Sequence, residues 1–152
     1  MVVAVEHFGY KEIGFKFASP TRVIMPMEID MFCEISGMRE EIFLRDEVGR
    51  SYGAKGRVVP GVFLMAITLG FLYETGLSKA TGAFYLGTDK FKVNSPVYPF
   101  DTVSVEIEVI KKRVTSKGDR VVLTYAWFMK NQEGVVVAEA ENTCIFPNPK
   151  AA

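Results

Sequence analysis

From residue 102 onward apolar and polar positions alternate, with Val103, Val105, Ile107 and Val109 on one side and Ser104, Glu106 and Glu108 on the other. A period of two marks a strand with one buried face. Residues 83–93, 101–115, 120–130 and 135–146 are predicted to form four long strands on this basis. Residues 115–119 and 131–134 have hairpin-loop composition, so the last three strands are expected to run as an antiparallel meander. Upstream of Gly82 the spacing becomes helical, with Ile29, Phe32, Cys33 and Ile35 predicted to share a helix's inner face, and one earlier strand is expected over 16–24.

Residues 58–73 form an uninterrupted run of sixteen uncharged, mostly apolar residues. That is short of the roughly 18 to 20 needed to cross a bilayer. Pro60 suits a first helical position, because its missing N–H has no intrahelical partner there, and Gly76 supplies the stop. A helix apolar on every face must be surrounded by protein, and a sheet curled around it is the economical way to do that in a short chain. The pattern therefore predicts an α+β fold in one domain over residues 1–152, an antiparallel sheet wrapped around one long buried helix.

Composition narrows the function classes. The 152 residues are 49% hydrophobic, enough for a sizeable core, and 18 basic residues balance 18 acidic ones. A net charge of zero gives no basic footprint for a nucleic acid. Residues 1–7 carry Glu6 and His7 where a signal peptide would be basic and then apolar, so a cytoplasmic protein without membrane attachment is expected. Cys33 and Cys144 stand among apolar neighbours and are predicted to be buried free thiols. No metal site is expected, since His7 is the only histidine. No internal repeat or linker interrupts the chain.

Val59-Pro60-Gly61 opening the helix, followed by Phe91, Pro96-Val97 and Asp101-Thr102, resembles the MaoC-like (R)-specific enoyl-CoA hydratases and acyl dehydratases, a hot-dog-fold family. The likeness runs over about residues 14–147 and includes the stretch 27–37, which looks like the family's helix before its catalytic loop. Phe100 stands where that family usually has glycine. The resemblance implies an acyl thioester, here acyl-CoA, as ligand, with no other cofactor. It also implies a dimer, either a homodimer or a heteromer with a catalytically intact hot-dog subunit.

The same resemblance locates what is missing. The family's acid/base Asp and His fall at Met38 and Phe43, neither of which transfers a proton. A substrate-side serine falls at Leu69. The glutamate of the related hydroxyacyl-carrier-protein dehydratases falls at Ala66, and only Glu74, near the far end, offers the helix carboxylate of hot-dog thioesterases. What remains is Gly61, whose N–H at the helix start is placed to bond a thioester carbonyl.

Two readings follow. One is a degenerate or non-catalytic subunit that still binds an acyl thioester through Pro60, Gly61, Met38, Phe43 and Leu69. The other is an active hydratase, dehydratase or thioesterase with Glu40 or Glu41 as a relocated base. A solvated acidic turn paired with Arg39 and Arg45 is the simpler account of those two glutamates, and Asp46 and Glu47 read as surface helix residues. Lys55, Arg57, Lys90 and Lys92 are candidates for the phosphates of coenzyme A. The hydroxyls of Thr68 and Tyr73 on the central helix are expected to bond within the fold rather than to a ligand.

Overall fold

The computed structural model describes residues 8–78 and 82–151. His7, like the rest of the amino-terminal stretch, lies outside the described residues. In chain order the elements are a 3₁₀ turn (Phe8–Tyr10), β1 (Lys16–Ala18), β2 (Arg22–Val23), α1 (Pro26–Ser36), α2 (Glu41–Leu44), α3 (Asp46–Ser51), α4 (Gly61–Glu74), β3 (Phe84–Val93), β4 (Thr102–Val114), β5 (Arg120–Lys130) and β6 (Val136–Pro147).

The alternation around residue 105 builds the sheet as predicted. Val103, Val105, Ile107 and Val109 of β4 are buried, while Glu106 and Glu108 face outward and meet Lys130 at 2.7 Å and Lys16 at 3.7 Å across the strands. β4, β5 and β6 form the antiparallel meander, and the sheet order is β1-β4-β5-β6-β3, with β2 also paired to β4. β3 occupies one edge, and its pairing with β6 is irregular between Asp89 and Lys92, where Lys90 takes a positive φ of 55°. The predicted strand over 16–24 is two short strands instead. Ser19-Pro20 interrupts it, since proline has no N–H for a ladder.

α4 packs Leu64, Ile67, Thr68, Phe71 and Leu72 into the core. Two expectations for it are corrected. Pro60 is the N-cap rather than the first helical residue, because its ψ of 130° is extended while its carbonyl already accepts the Phe63 N–H at 2.9 Å. The helix is also not enclosed: Val62, Ala66 and Tyr73 are exposed, because the sheet covers only one side of it. Gly76 takes a left-handed φ of 85° just beyond the end, the conformation a helix stop uses. On α1, Ile29 and Cys33 are buried, but Ile35 is 83% exposed. Ile35 lies six residues from Ile29, so it falls off the face that the spacing of Ile29 and Cys33 defines.

One polar chain crosses the core. The Thr88 hydroxyl donates to Asn142 Oδ1 at 2.6 Å, the Asn142 amide donates to the Tyr125 hydroxyl at 3.2 Å, and the Tyr85 hydroxyl closes on Thr88. Burial, above all else, pushes the Tyr125 phenol far above its ordinary value and the neighbouring Cys144 thiol up to about 11. Both cysteines are free and buried, and burial also raises the Cys33 thiol. Both shifts disfavour the thiolate, the reactive form of a cysteine.

Candidate functional site

A groove of about 500 Å³ opens at the amino end of α4. The backbone explains its position. Val58 donates its N–H to Ile42 in α2 at 3.1 Å, and Val59 donates to Val97 after β3 at 2.8 Å, so the approach to Pro60 is clamped from both sides. Ile42, Phe43 and Tyr52 form one wall, Val93 and residues 94–98 the other, and Val59 and Gly61 the base.

Gly61 is required by a close approach. A Cβ there would lie 2.9 Å from Val93 Cγ2 and 4.0 Å from Phe91 Cζ. The strand thus reaches the helix start only because the residue has no side chain. Among the described residues the N–H groups of Gly61 and Val62 find no acceptor, as expected for a first helical turn without a side-chain cap. They are directed donors at the positive end of the helix dipole, suited to a carbonyl oxygen. Behind Gly61, Phe91 packs on Trp127 with ring centroids 6.1 Å apart. Trp127 is the only tryptophan of the chain, is fully buried, and its indole N–H lacks a partner among the described residues.

The groove gathers some of the predicted residues and leaves others elsewhere. Gly61 and Phe43 line it. Pro60 is buried at its base as the cap of α4. Met38 is half-buried in the connection from α1 to α2, where its N–H donates to the Ser36 hydroxyl oxygen at 3.3 Å, and it does not line the groove. Leu69, two helical turns further along α4, packs against the core instead. Glu40 and Glu41 are exposed at the start of α2, outside the groove lining; Glu41 meets Arg45 at 3.4 Å, while Arg39 pairs with Glu34 at 2.6 Å. Among the described residues no Asp, Glu, His or Cys side chain lines the groove.

The basic candidates are differently employed. Arg57 is the most buried of them and ties α1 to the approach of α4, donating to Asp30 at 2.5 Å and to the Pro26 carbonyl at 3.3 Å. Lys90 pairs with Glu141 at 2.7 Å, which raises the Lys90 ammonium above its ordinary value. Lys92 is exposed on β3. Lys55 is exposed beside the groove, with its Nζ 5.9 Å from the centroid of the Tyr98 ring. The Thr68 hydroxyl bonds back to the Leu64 carbonyl at 3.0 Å. Residues 94–98, which form a whole wall of the groove, were legible in the sequence only as family motif and strand breaker, because a wall's function depends on what the chain folds against it.

The sheet around α4 and the site at its amino end define the class as the hot-dog fold. More particularly it is the fold of the MaoC-like dehydratases and (R)-hydratases. A MaoC-like dehydratase from Rhodospirillum rubrum superposes with a TM-score of 0.77 at 26% identity, over 91% of this chain and 95% of that one. A monoamine oxidase regulatory protein from Archaeoglobus fulgidus gives 0.84 at 22%, over 93% and 94%. An (R)-hydratase from Pseudomonas aeruginosa gives 0.75 at 24%, over 93% and 85%. More distant neighbours at 14% identity come from two-component complexes of Mycobacterium tuberculosis. No protein-family model and no curated protein matches the chain. No helix among the described residues is long and apolar enough to cross a membrane.

Proposed function

We propose that this protein is an acyl-thioester-binding hot-dog subunit that holds the thioester carbonyl at Gly61 and supplies no acid or base of its own. The observation that carries the reading is the groove itself: the unbonded Gly61 N–H in its lining, walls that are apolar apart from Tyr52, Asn94, Ser95 and Tyr98, and no carboxylate or imidazole among the described lining residues. Phe43, the position at which the family resemblance puts the histidine, lines the groove, and a phenyl ring exchanges no proton. Fold alone does not decide chemistry, so the absent side chains outweigh the shared architecture.

Direct titration tests this. Saturable binding of butanoyl-CoA by calorimetry, together with no hydration of crotonyl-CoA above background, is the expected pair of results. Hydration at roughly 1 s⁻¹ or faster, within the ordinary enzyme range, overturns the non-catalytic part. No binding at millimolar butanoyl-CoA overturns the cradle.

Association with a second hot-dog chain is part of the same proposal. Besides the exposed residues of α4, Phe84, Tyr85 and Leu86 are all exposed on β3, the edge strand that pairs with β6 alone. Apolar edges of this type ordinarily find a partner. Light scattering is expected to give a dimer, and Leu86→Asp to shift it to monomer by placing a charge in the buried contact. A wild-type monomer instead directs the search to a companion subunit carrying the acid and base, an arrangement to which the two-component neighbours lend support.

A further inference from the structure

Charge is balanced in total but not in placement. In the half that carries α1 to α3, Arg22, Arg39, Arg45 and Arg57 each meet a carboxylate. At the β4–β5 hairpin the opposite holds: Lys111, Arg113, Lys117, Arg120 and, alongside them, Lys150 form no salt bridge among the described residues. Glu12 and Asp119 are the acids at this end. Glu12 is already taken by Lys112 at 2.9 Å, a contact that holds its carboxyl below the usual range, and Asp119 accepts the Thr115 hydroxyl at 3.0 Å.

The cations stand around exposed aliphatic side chains. Ile13 is 62% and Val114 52% exposed, and both line a hollow of about 300 Å³ together with Glu12, Lys112, Arg113 and Lys150. Lys111 and Arg113 lie opposite Thr124 and Val122, so they project from one face of β4 while Lys112 and Val114 take the other. Exposed Lys117 sits in the connecting turn. Three chain segments are tied together here: Asn148 donates to the Asp119 and Gly118 carbonyls at 2.8 and 2.7 Å, and Lys112 donates to the Lys11 carbonyl at 2.9 Å.

We infer that this hairpin end docks peripherally on an anionic lipid surface. The cations without carboxylate partners supply attraction to phosphate headgroups, and the two aliphatic side chains between them gain by entering the acyl layer. A nucleic acid would use the cations alone, since its backbone offers nothing to Ile13 and Val114. Such contact needs no spanning helix, and it replaces the expectation of no membrane attachment, which is drawn from residues 1–7. It is also independent of the acyl-thioester reading. Val93 of the groove wall is level with Val105 across the sheet, through Ala138 and Met129, and Val105 stands about 30 Å along β4 from Val114.

Co-sedimentation of the full chain with vesicles tests it, using phosphatidylcholine alone or with about 30% phosphatidylglycerol. Binding is expected only to the anionic vesicles, and about 0.5 M salt is expected to release it by screening the headgroup charge. Lys111→Gln together with Lys117→Gln is expected to weaken it roughly 25-fold, about fivefold for each cation removed. Val114→Ser is expected to cost about fivefold at unchanged charge. Both variants are expected to melt within roughly 2 °C of wild type, which separates lost docking from lost fold. Equal binding to neutral vesicles, or no binding to either kind at millimolar lipid, overturns the inference. Anionic binding that survives the double substitution overturns it too, since the contact then lies elsewhere. A DNA duplex that binds more tightly than the vesicles and is indifferent to Val114→Ser overturns it in favour of a nucleic acid.

Discussion

Gly49→Ala is expected to lower the unfolding free energy by about 3 kcal/mol, the upper part of the ordinary range for overpacking. Gly49 is buried on α3 against the backbone of the following loop. A Cβ there would fall 1.9 Å from the Gly56 carbonyl oxygen, 2.4 Å from its carbon and 2.9 Å from the Arg57 nitrogen. All three are backbone atoms, so no rotamer change relieves the overlap. The loop is pinned as well, with the Arg57 N–H on Asp46 at 3.0 Å and the Arg57 side chain on Asp30 at 2.5 Å. Denaturant titration checks the loss, and a midpoint unchanged from wild type would falsify the packing. Because residues 56–57 lead straight into Val58 and Val59, the variant is also expected to loosen the clamp on α4 and weaken ligand binding beyond what stability alone predicts.

The difference between what the pattern disclosed and what it withheld has a physical cause. Alternation in β4 to β6 was readable because one face of each strand meets the core, and local sequence records that contact directly. Burial of residues 58–73 was readable only halfway. Their uniform apolarity says that every face is to be covered, but not that the sheet covers one side and leaves Val62, Ala66 and Tyr73 exposed. Phe43 and Gly61 were identified through the family likeness and meet in one groove. Met38 and Leu69 were identified by the same likeness, yet they lie outside it, because a motif fixes position along the chain and not which way the backbone turns. Arg57 illustrates the converse limit. As a sequence feature it is a free cation near a ligand mouth, whereas in the fold it is held by Asp30, twenty-seven residues away. Gly49 gave no signal at all, since its constraint comes from the backbone of another loop.

Gly61→Val is the most direct test of the site and is expected to weaken acyl-thioester binding roughly 30-fold, equivalent to about 2 kcal/mol, while the chain remains folded. Even one added carbon sits 2.9 Å from Val93 Cγ2. Two further methyl groups must move either β3 or the first turn of α4, and hydrogen bonds weaken steeply when their donors are misaligned. Gly61→Ala tests the same contact more gently. Its single Cβ presses on the end of a side chain, so Val93→Ala in the same molecule opens the space again. The double variant is therefore expected to recover most of the affinity lost in Gly61→Ala, a coupling that two independent lesions do not show. Trp127 supplies the internal control, because Phe91 touches it from the side facing Gly61 and its fluorescence reports a shifted β3 without any ligand. If Gly61→Val binds butanoyl-CoA as tightly as wild type, the thioester is not held at this helix end. The two unbonded N–H groups are then a feature of folding alone.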